Sequence, residues 1–271
     1  MGNIELEKYF KRIHYTGNEG IIVDWEVLRN IHQLHPQYIT FENIDSFTNN
    51  VPYLDRESVF NKLVNENRGG YCYEQNILLK NILEVIGFDV ETHLARVLWG
   101  RKEGKGTRTH MMLIVNLNKE KYLVDVGFGT VTLTAPLLLH CESEQTTRNG
   151  TFQILQDGPV YTLSLIADEK KPIYEFSLEP VEQSDLEISN WYIATHPSSL
   201  FKENLVVTKV DEIARYVLNN NCLHVRYNNG VKEIIEINNH SELLTLLENV
   251  FNINLDNIKD KELLIDKFDK I

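Results

Sequence analysis

The chain has 271 residues, 42% hydrophobic and 24% charged, an ordinary globular composition and enough length for one large unit or two to three small ones sharing a core. Lys and Arg total 27 against 39 Asp and Glu, and the net charge of −12 repels phosphate backbones and anionic lipid, which argues against nucleic acid and membrane surfaces as partners. Purely apolar runs are no longer than stretches such as Met111 to Val115, too short to cross a bilayer, and the three cysteines, Cys72, Cys141 and Cys222, read as reduced thiols: they are odd in number and lack C-x-x-C spacing.

The opening M-G-N-I-E-L-E-K-Y-F has no basic region followed by an apolar stretch, and Leu6 stands where an acylation signal wants Ser or Thr, so the expected location is the cytoplasm. The sequons at Asn149-Gly150-Thr151 and Asn239-His240-Ser241 then carry no weight. Helical spacing follows at Leu6, Tyr9, Phe10 and Ile13, and again at Val27, Leu28, Ile31 and Leu34. Asp55 is placed to cap a third helix carrying Val59, Phe60, Leu63 and Val64. A fourth begins at Cys72, buries Ile77, Leu78, Leu79, Ile82, Leu83 and Ile86, and ends with Gly87 in the C′ position.

From Phe88 the period changes toward two. F-D-V-E-T-H-L-A-R-V-L-W, T-H-M-M-L-I-V-N-L, K-Y-L-V-D-V-G-F-G, Y-T-L-S-L and Y-E-F-S-L read as short antiparallel strands of a curled sheet. Beyond Phe201 strands return around the N-N-G turn at 228–230, and Ser241 is placed to cap the helix E-L-L-T-L-L-E-N-V-F. No repeat or Pro/Gly/Ser-rich linker interrupts the chain, and the segregation of helices from strands predicts an α+β fold rather than a doubly wound sheet.

The stretch R-G-G-Y-C-Y-E-Q-N at 68–76 sets a cysteine among polar neighbours, where a thiol that only fills core volume would want apolar ones. A helix N-terminus and the Arg68 cation favour thiolate at Cys72, and Gly69 and Gly70 are expected to let a substrate approach the backbone. Cys141 and Cys222 read as buried structural cysteines. His110, opening the apolar strand T-H-M-M-L-I-V, is the candidate base, and Asp125, flanked by apolar residues in the next strand, is a carboxylate that needs a partner to offset its desolvation. A hairpin turning at N-L-N-K-E, with its midpoint between Leu117 and Asn118, brings the two side by side to within a residue or two of register.

Together these make a Cys-His-Asp arrangement in which Asp125 fixes the imidazole tautomer, His110 takes the thiol proton and Cys72 attacks a carbonyl, in the chain order of papain-like enzymes. Each member also has an ordinary reading, since eight other histidines exist and an isolated strand Asp can simply end a pairing. A metal site from His32 and His35 lacks a completing ligand, and the two read as helix-surface histidines. Gly127-Phe128-Gly129 is a loop, not a dinucleotide fingerprint, with Phe128 able to face an aromatic substrate or to pack in the core.

The motifs R-G-G-Y-C-Y-E-Q-N, T-H-M-M-L-I-V and Y-L-V-D-V-G-F-G, in this order and spacing, resemble the arylamine N-acetyltransferases. Weaker matches at Y-F-K-R-I-H-Y, Y-I-T-F-E-N-I-D, L-A-R-V and T-H-P-S-S-L-F extend the resemblance over most of the chain. It implies a helical bundle (1–87) carrying the nucleophile, a β-barrel (88–200) carrying the histidine and aspartate, and an α/β lid (201–271), the first two parts being like a papain-type cysteine protease. It also implies a ping-pong reaction: acetyl-CoA, the only co-substrate and with no metal or prosthetic group, acylates Cys72, and an arylamine or arylhydrazine then takes the acetyl group.

By the same resemblance Tyr73, Val97 and Phe128 match positions lining the acceptor pocket, Thr109, Gly129 and Phe201 match positions near the CoA arm, and Glu42 with Arg68 matches the pair tying the first helices to the nucleophile turn. An arginine bidentate to one carboxylate is structural first and electrostatic second. One departure is visible: the family's I-P-F-E-N is here Ile39-Thr40-Phe41-Glu42-Asn43. The CoA phosphates need a local basic patch on an acidic protein, for which Lys202, Lys209 and Arg226 are candidates. A thiol hydrolase of papain or transglutaminase type, an amide synthase with another acyl donor, and a non-catalytic binding protein share these features.

Overall fold

The computed structural model describes residues 3–17, 21–101, 104 and 106–271. Met1 and Gly2, on which the reading of the N-terminal signal turns, lie outside them. The first helices are α1 (Asn3–Arg12), α2 (Trp25–Tyr38), α3 (Ile44–Phe47), α4 (Arg56–Phe60) and α5 (Cys72–Ile86), with the two-residue strand β1 (Phe41–Glu42) between α2 and α3. Asp55 caps α4 by accepting Ser58 N–H at 2.9 Å, but the predicted third helix continues past Phe60 as a wider π turn over Asn61–Asn65. Gly87 closes α5 with φ of +109°, a conformation only glycine adopts freely.

Eight antiparallel strands follow: β2 (Asp89–Val97), β3 (Arg108–Leu117), β4 (Glu120–Val124), β5 (Leu137–Leu138), β6 (Gln145–Thr147), β7 (Gly150–Asp157), β8 (Val160–Ile166) and β9 (Lys170–Phe176). Their order, β5-β4-β3-β2-β9-β8-β7-β6, curls them into a nearly closed barrel. Gln145 on β6 bridges the two edges with its side chain, accepting Leu138 N–H at 2.8 Å and donating to Leu138 C=O at 2.9 Å. The run M-M-L-I-V in β3 shows no polar alternation because both its faces are covered. Met112 and Ile114 enter the barrel core, while Met111, Leu113 and Val115 pack on the helices.

After α6 (Gln183–Thr195) and α7 (Leu200–Glu203) come β10 (Val206–Val210), β11 (Ala214–Asn219), β12 (Cys222–Tyr227), β13 (Lys232–Glu236), α8 (His240–Asn249) and α9 (Lys261–Phe268). The C-terminal sheet runs β1-β10-β11-β12-β13, so its first strand comes from among the N-terminal helices. Asn43 ties the same two regions, donating to the carbonyls of Phe201 and Asn204 at 2.7 and 2.8 Å and accepting Val206 N–H at 2.7 Å. Asn239, not Ser241, caps α8: it lies two residues earlier in extended conformation and accepts Glu242 N–H at 3.0 Å.

Candidate active site

Cys72 is the first residue of α5 and is 4% exposed. The turn before it is held by Glu74, whose Oε2 accepts Tyr71 N–H at 3.1 Å, the backward half of a capping box. Gly69 and Gly70 are buried and do not take left-handed conformations. A Cβ on Gly69 would lie 2.1 Å from Thr40 O, and one on Gly70 2.6 Å from Glu74 Oε2, so the pair makes room for the chain's own carbonyl and carboxyl. The same closeness recurs at Gly127, where a Cβ would lie 2.7 Å from Cys72 Cα.

His110 sits beside a β-bulge: β2 and β3 slip by one residue between Ala95 and Arg96, leaving Thr109 over. The Thr109 carbonyl accepts Tyr73 O–H at 2.9 Å and lies 3.9 Å from Cys72 Sγ. The β3–β4 hairpin turns at Asn118 and Lys119, both with positive φ, one residue later than the predicted midpoint. Asp125 is therefore the residue after β4, not within it, and continuing the register sets it opposite Met112 rather than His110. A slip of two preserves the face, because side chains alternate with period two. His110 Nε2 donates to Asp125 Oδ2 at 2.7 Å, and the Cys72 side chain is near enough to act on the same imidazole.

Asp125 is fully buried and saturated with donors. Oδ2 also accepts Tyr174 O–H at 3.0 Å, and Oδ1 accepts Gly127 N–H at 2.9 Å and Asn76 Nδ2 at 3.1 Å. Burial alone would raise this carboxyl, but the charge and hydrogen bond of His110, with the Gly127 and Asn76 donors, hold it below the ordinary carboxylate range. Burial alone would lower His110; the Asp125 charge and hydrogen bond, with Cys72 adding to them, push it up to about 10. The ring is thus an imidazolium at neutral pH, and Nδ1, the nitrogen Asp125 does not use, remains for the thiol.

Three further residues brace this cluster, and no local motif marks them all. Asn76 lies one helical turn after Cys72, on the same face, and links α5 to Met111 O, Val126 N–H and Asp125. Tyr174 arrives from β9, and its ring stands 5.1 Å from that of His110. His32 accepts Asp125 N–H at Nε2, 3.2 Å away. Both His32 and His35 are fully buried rather than on the helix surface, and their polar contacts are internal: His35 Nε2 meets Gln75 Oε1 at 2.7 Å and Nδ1 meets Tyr9 O–H at 2.8 Å. Burial lowers His32 to about 4 and His35 to about 3.

Behind the nucleophile turn lies a buried ion network. Arg68 Nε and Nη2 straddle a single oxygen, Glu42 Oε1, at 3.0 and 2.7 Å, so the guanidinium is not bidentate to one carboxylate as expected. It reaches on to Asp45 Oδ1 at 3.0 Å and Asn257 O at 2.9 Å, while Glu42 Oε2 accepts Ile44 N–H at 2.8 Å. Lys62 then joins Asp45 and Glu74, each at 2.7 Å. Burial pushes Glu74 up to about 7 against the pull of Lys62, so the network of three acids and two bases sheds its surplus charge near neutrality. Thr40, where the resemblance expects proline, donates its hydroxyl to Phe251 O at 2.5 Å.

Of the other predicted residues, Tyr73 is fully buried, Val97 pairs with Tyr174 across β2 and β9, and the Phe128 ring stands 5.1 Å from His110, edge to face. Gly129 has φ of +79° and packs on Phe41, whose ring lies 5.8 Å from that of Phe201. Lys209 is spent on Val250 O at 2.9 Å, Lys202 approaches Thr195 O at 3.4 Å, and Arg226 is exposed. Cys141 and Cys222 are half-exposed, not buried, and among the described residues no group of three or more His, Cys, Asp or Glu is arranged to hold a metal ion. No described helix is long and apolar enough to cross a membrane.

A family model described as N-acetyltransferase matches residues 24–260. An arylamine N-acetyltransferase of Mycolicibacterium smegmatis is 36% identical over 266 residues, 96% of this chain and 95% of that one. One of Escherichia coli is 33% identical over 256 residues, covering 94% and 90%. The solved structure of the Mycobacterium marinum arylamine N-acetyltransferase in complex with CoA superimposes with a TM-score of 0.92 at 32% identity, over 98% of this chain and 99% of that one.

Proposed function

The chain belongs to the arylamine N-acetyltransferase family, and from that premise we propose that it moves an acetyl group from acetyl-CoA to the nitrogen of an arylamine or arylhydrazine through an acetyl thioester on Cys72. It is an acetyltransferase with acetyl-CoA as co-substrate. The observation that carries the finer reading is the pairing of a helix-initiating cysteine with an imidazole charged by a saturated carboxylate.

In the first half-reaction Cys72, as thiolate, attacks the thioester carbonyl, the C–S bond to CoA breaks, and His110 gives its Nδ1 proton to the departing sulfur. In the second the amine attacks the acetyl-Cys72 carbonyl, the Cys72 sulfur leaves as thiolate, and His110 takes the proton the nitrogen sheds. Asp125 holds the ring in place throughout. Tyr73, Val97 and Phe128 are assigned to the acceptor side, Thr109, Gly129 and Phe201 to the CoA side, and Glu42 with Arg68 to the support of the turn. The unpaired cysteines fit a cytoplasmic location.

Purified protein given acetyl-CoA should acquire one acetyl group on Cys72 by intact mass and peptide mapping, and should release free CoA thiol continuously only when an arylamine or hydrazine is added. Cys72→Ala should do neither. A Cys72→Ala protein that still transfers acetyl overturns the mechanism, and CoA release at the same rate without amine would mark a thioester hydrolase.

A further inference from the structure

The C-terminal sheet ends on β13, and nothing among the described residues covers that edge. All five residues from Lys232 to Glu236 are exposed, including two isoleucines, Ile234 at 69% and Ile235 at 44%. The other end of this sheet, β1, is sheltered by a bridge from Phe41 to Gly70, and the two edges of the barrel are joined through Gln145. An open edge is a template for another strand, and proteins usually blunt one with charge. Here the charges are arranged to do something else.

The phase of the ladder shows which groups β13 offers. Ile237 N–H bonds Asn221 O at 2.8 Å and Tyr227 N–H bonds Val231 O at 2.9 Å, so the odd-numbered residues of this segment spend their backbone groups on β12. Antiparallel pairs alternate, so Lys232, Ile234 and Glu236 turn their N–H and C=O groups outward. Their side chains share one face, opposite Arg226, His224 and Cys222 of β12.

These three positions read the same way under a two-fold rotation with the charge signs exchanged. A second β13 laid antiparallel with Ile234 against Ile234 puts each Lys232 opposite the other chain's Glu236, and all three pairs fall where both strands offer free backbone groups. Such registry gives apolar contact on the axis, an ion pair on either side of it, and a continuous ladder. A register one residue away would set outward-facing backbone groups against occupied ones. On the opposite face Glu233 is held back by its own Tyr227 hydroxyl at 3.1 Å, which keeps it from crowding Ile235 of the other copy.

We propose that β13 is the contact edge of a symmetric dimer, in which a second copy of this chain extends the five-stranded sheet into one of ten strands. The contact is isologous and closes after two chains, because pairing consumes both free edges. The strand is short, so association is weak and concentration-dependent.

Sedimentation velocity across a wide concentration series, with far-UV circular dichroism and acetyl transfer as controls of folding, tests this directly. The unaltered chain should pass from monomer to dimer and stop there. Ile234→Pro removes an N–H that β12 does not use and should leave only monomer. Lys232→Glu and Glu236→Lys each set like charges against one another twice and should weaken association at least about tenfold, while the double variant exchanges the signs and should restore it. A chain that stays monomeric at every concentration overturns the proposal, as does a dimer that survives Ile234→Pro or that the double exchange fails to rescue. Growth into longer assemblies would overturn the closed two-fold geometry.

Discussion

Asp125 has two sides, and an imidazole stands on each. On the barrel side His110 meets the carboxylate; on the α2 side His32 meets the backbone N–H of the same residue. Both rings are buried, yet His110 is pushed up to about 10 and His32 down to about 4. Burial disfavours either charged ring, so the difference comes from what each ring faces. An acceptor oxygen rewards a protonated nitrogen, whereas a donor N–H demands a lone pair and holds the ring neutral. The Asp125 charge thus lifts His110 against its burial, whereas at His32 burial outweighs the same charge and the donor N–H meets the lone pair of a neutral ring.

The largest effect expected is from Asp125→Asn, which alters one side of this comparison and leaves the other. The side chain loses its charge and its acceptor toward His110, while the backbone N–H still reaches His32. Acetyl transfer should fall by about four orders of magnitude, the scale seen when a buried triad carboxylate becomes an amide. Imidazole titration followed by NMR should show the His110 ring descending into or below its ordinary range, with His32 remaining low. A His110 ring that stays charged at alkaline pH in this variant would show that something other than Asp125 sets it.

The second effect separates the rings by pH. His32 has a folded value of about 4 against an ordinary 6.5, so between these limits the unfolded chain holds a proton that the folded chain does not. Stability from this group is present above pH 6.5 and lost as pH falls toward 4, by on the order of 3 kcal/mol. His110 works in the opposite direction: its stabilisation is complete below pH 6.5 and is lost as pH rises toward 10. In His32→Gln the new amide oxygen can accept Asp125 N–H, so urea unfolding between pH 7 and 4 should be flatter than in the unaltered chain, although His35 keeps part of the acid limb. The alkaline limb should not change. An unaltered acid limb in His32→Gln would remove His32 from the account.

How much of this was readable beforehand follows from distance along the chain. Cys72 was visible because its neighbours are contiguous, and the helix ends at Asp55 and Gly87 because capping is local. The His110–Asp125 proximity was visible because a hairpin with period-two alternation tolerates a slip of two, although the positive φ of Asn118 and Lys119, which moved the turn, has no glycine to announce it. Tyr174 and His32 were not visible: they meet Asp125 across 49 and 93 residues, through strand order and helix docking that no local pattern encodes. Helix-surface histidines are the commoner case, yet the buried stripe of α2 includes both His32 and His35 beside Val27, Leu28 and Ile31. The arginine fork at Glu42 failed for a similar reason, since Asp45 and Lys62 enter the network only once α3 and the π turn are in place.

The smallest effect lies at the far end of the α2 side, where the neutral-ring principle can be tested without touching Asp125. Gln75 donates from Nε2 to Thr40 O at 2.8 Å and Gly70 O at 3.1 Å, which turns its Oε1 toward His35. His35 Nε2 must therefore carry the proton, and Nδ1 must accept from Tyr9 O–H. Tyr9→Phe strands that buried acceptor while nearly preserving volume, so it should cost about 1–2 kcal/mol in urea unfolding at pH 7. The cost should shrink as the pH is lowered, because a stranded Nδ1 is protonated more readily than one already engaged by a hydroxyl. Acetyl transfer by the folded protein should change by less than about threefold, the loss being in a group remote from the reacting atoms. A Tyr9→Phe protein as stable as its parent would mean that the Tyr9 hydroxyl contributes nothing to holding the His35 ring.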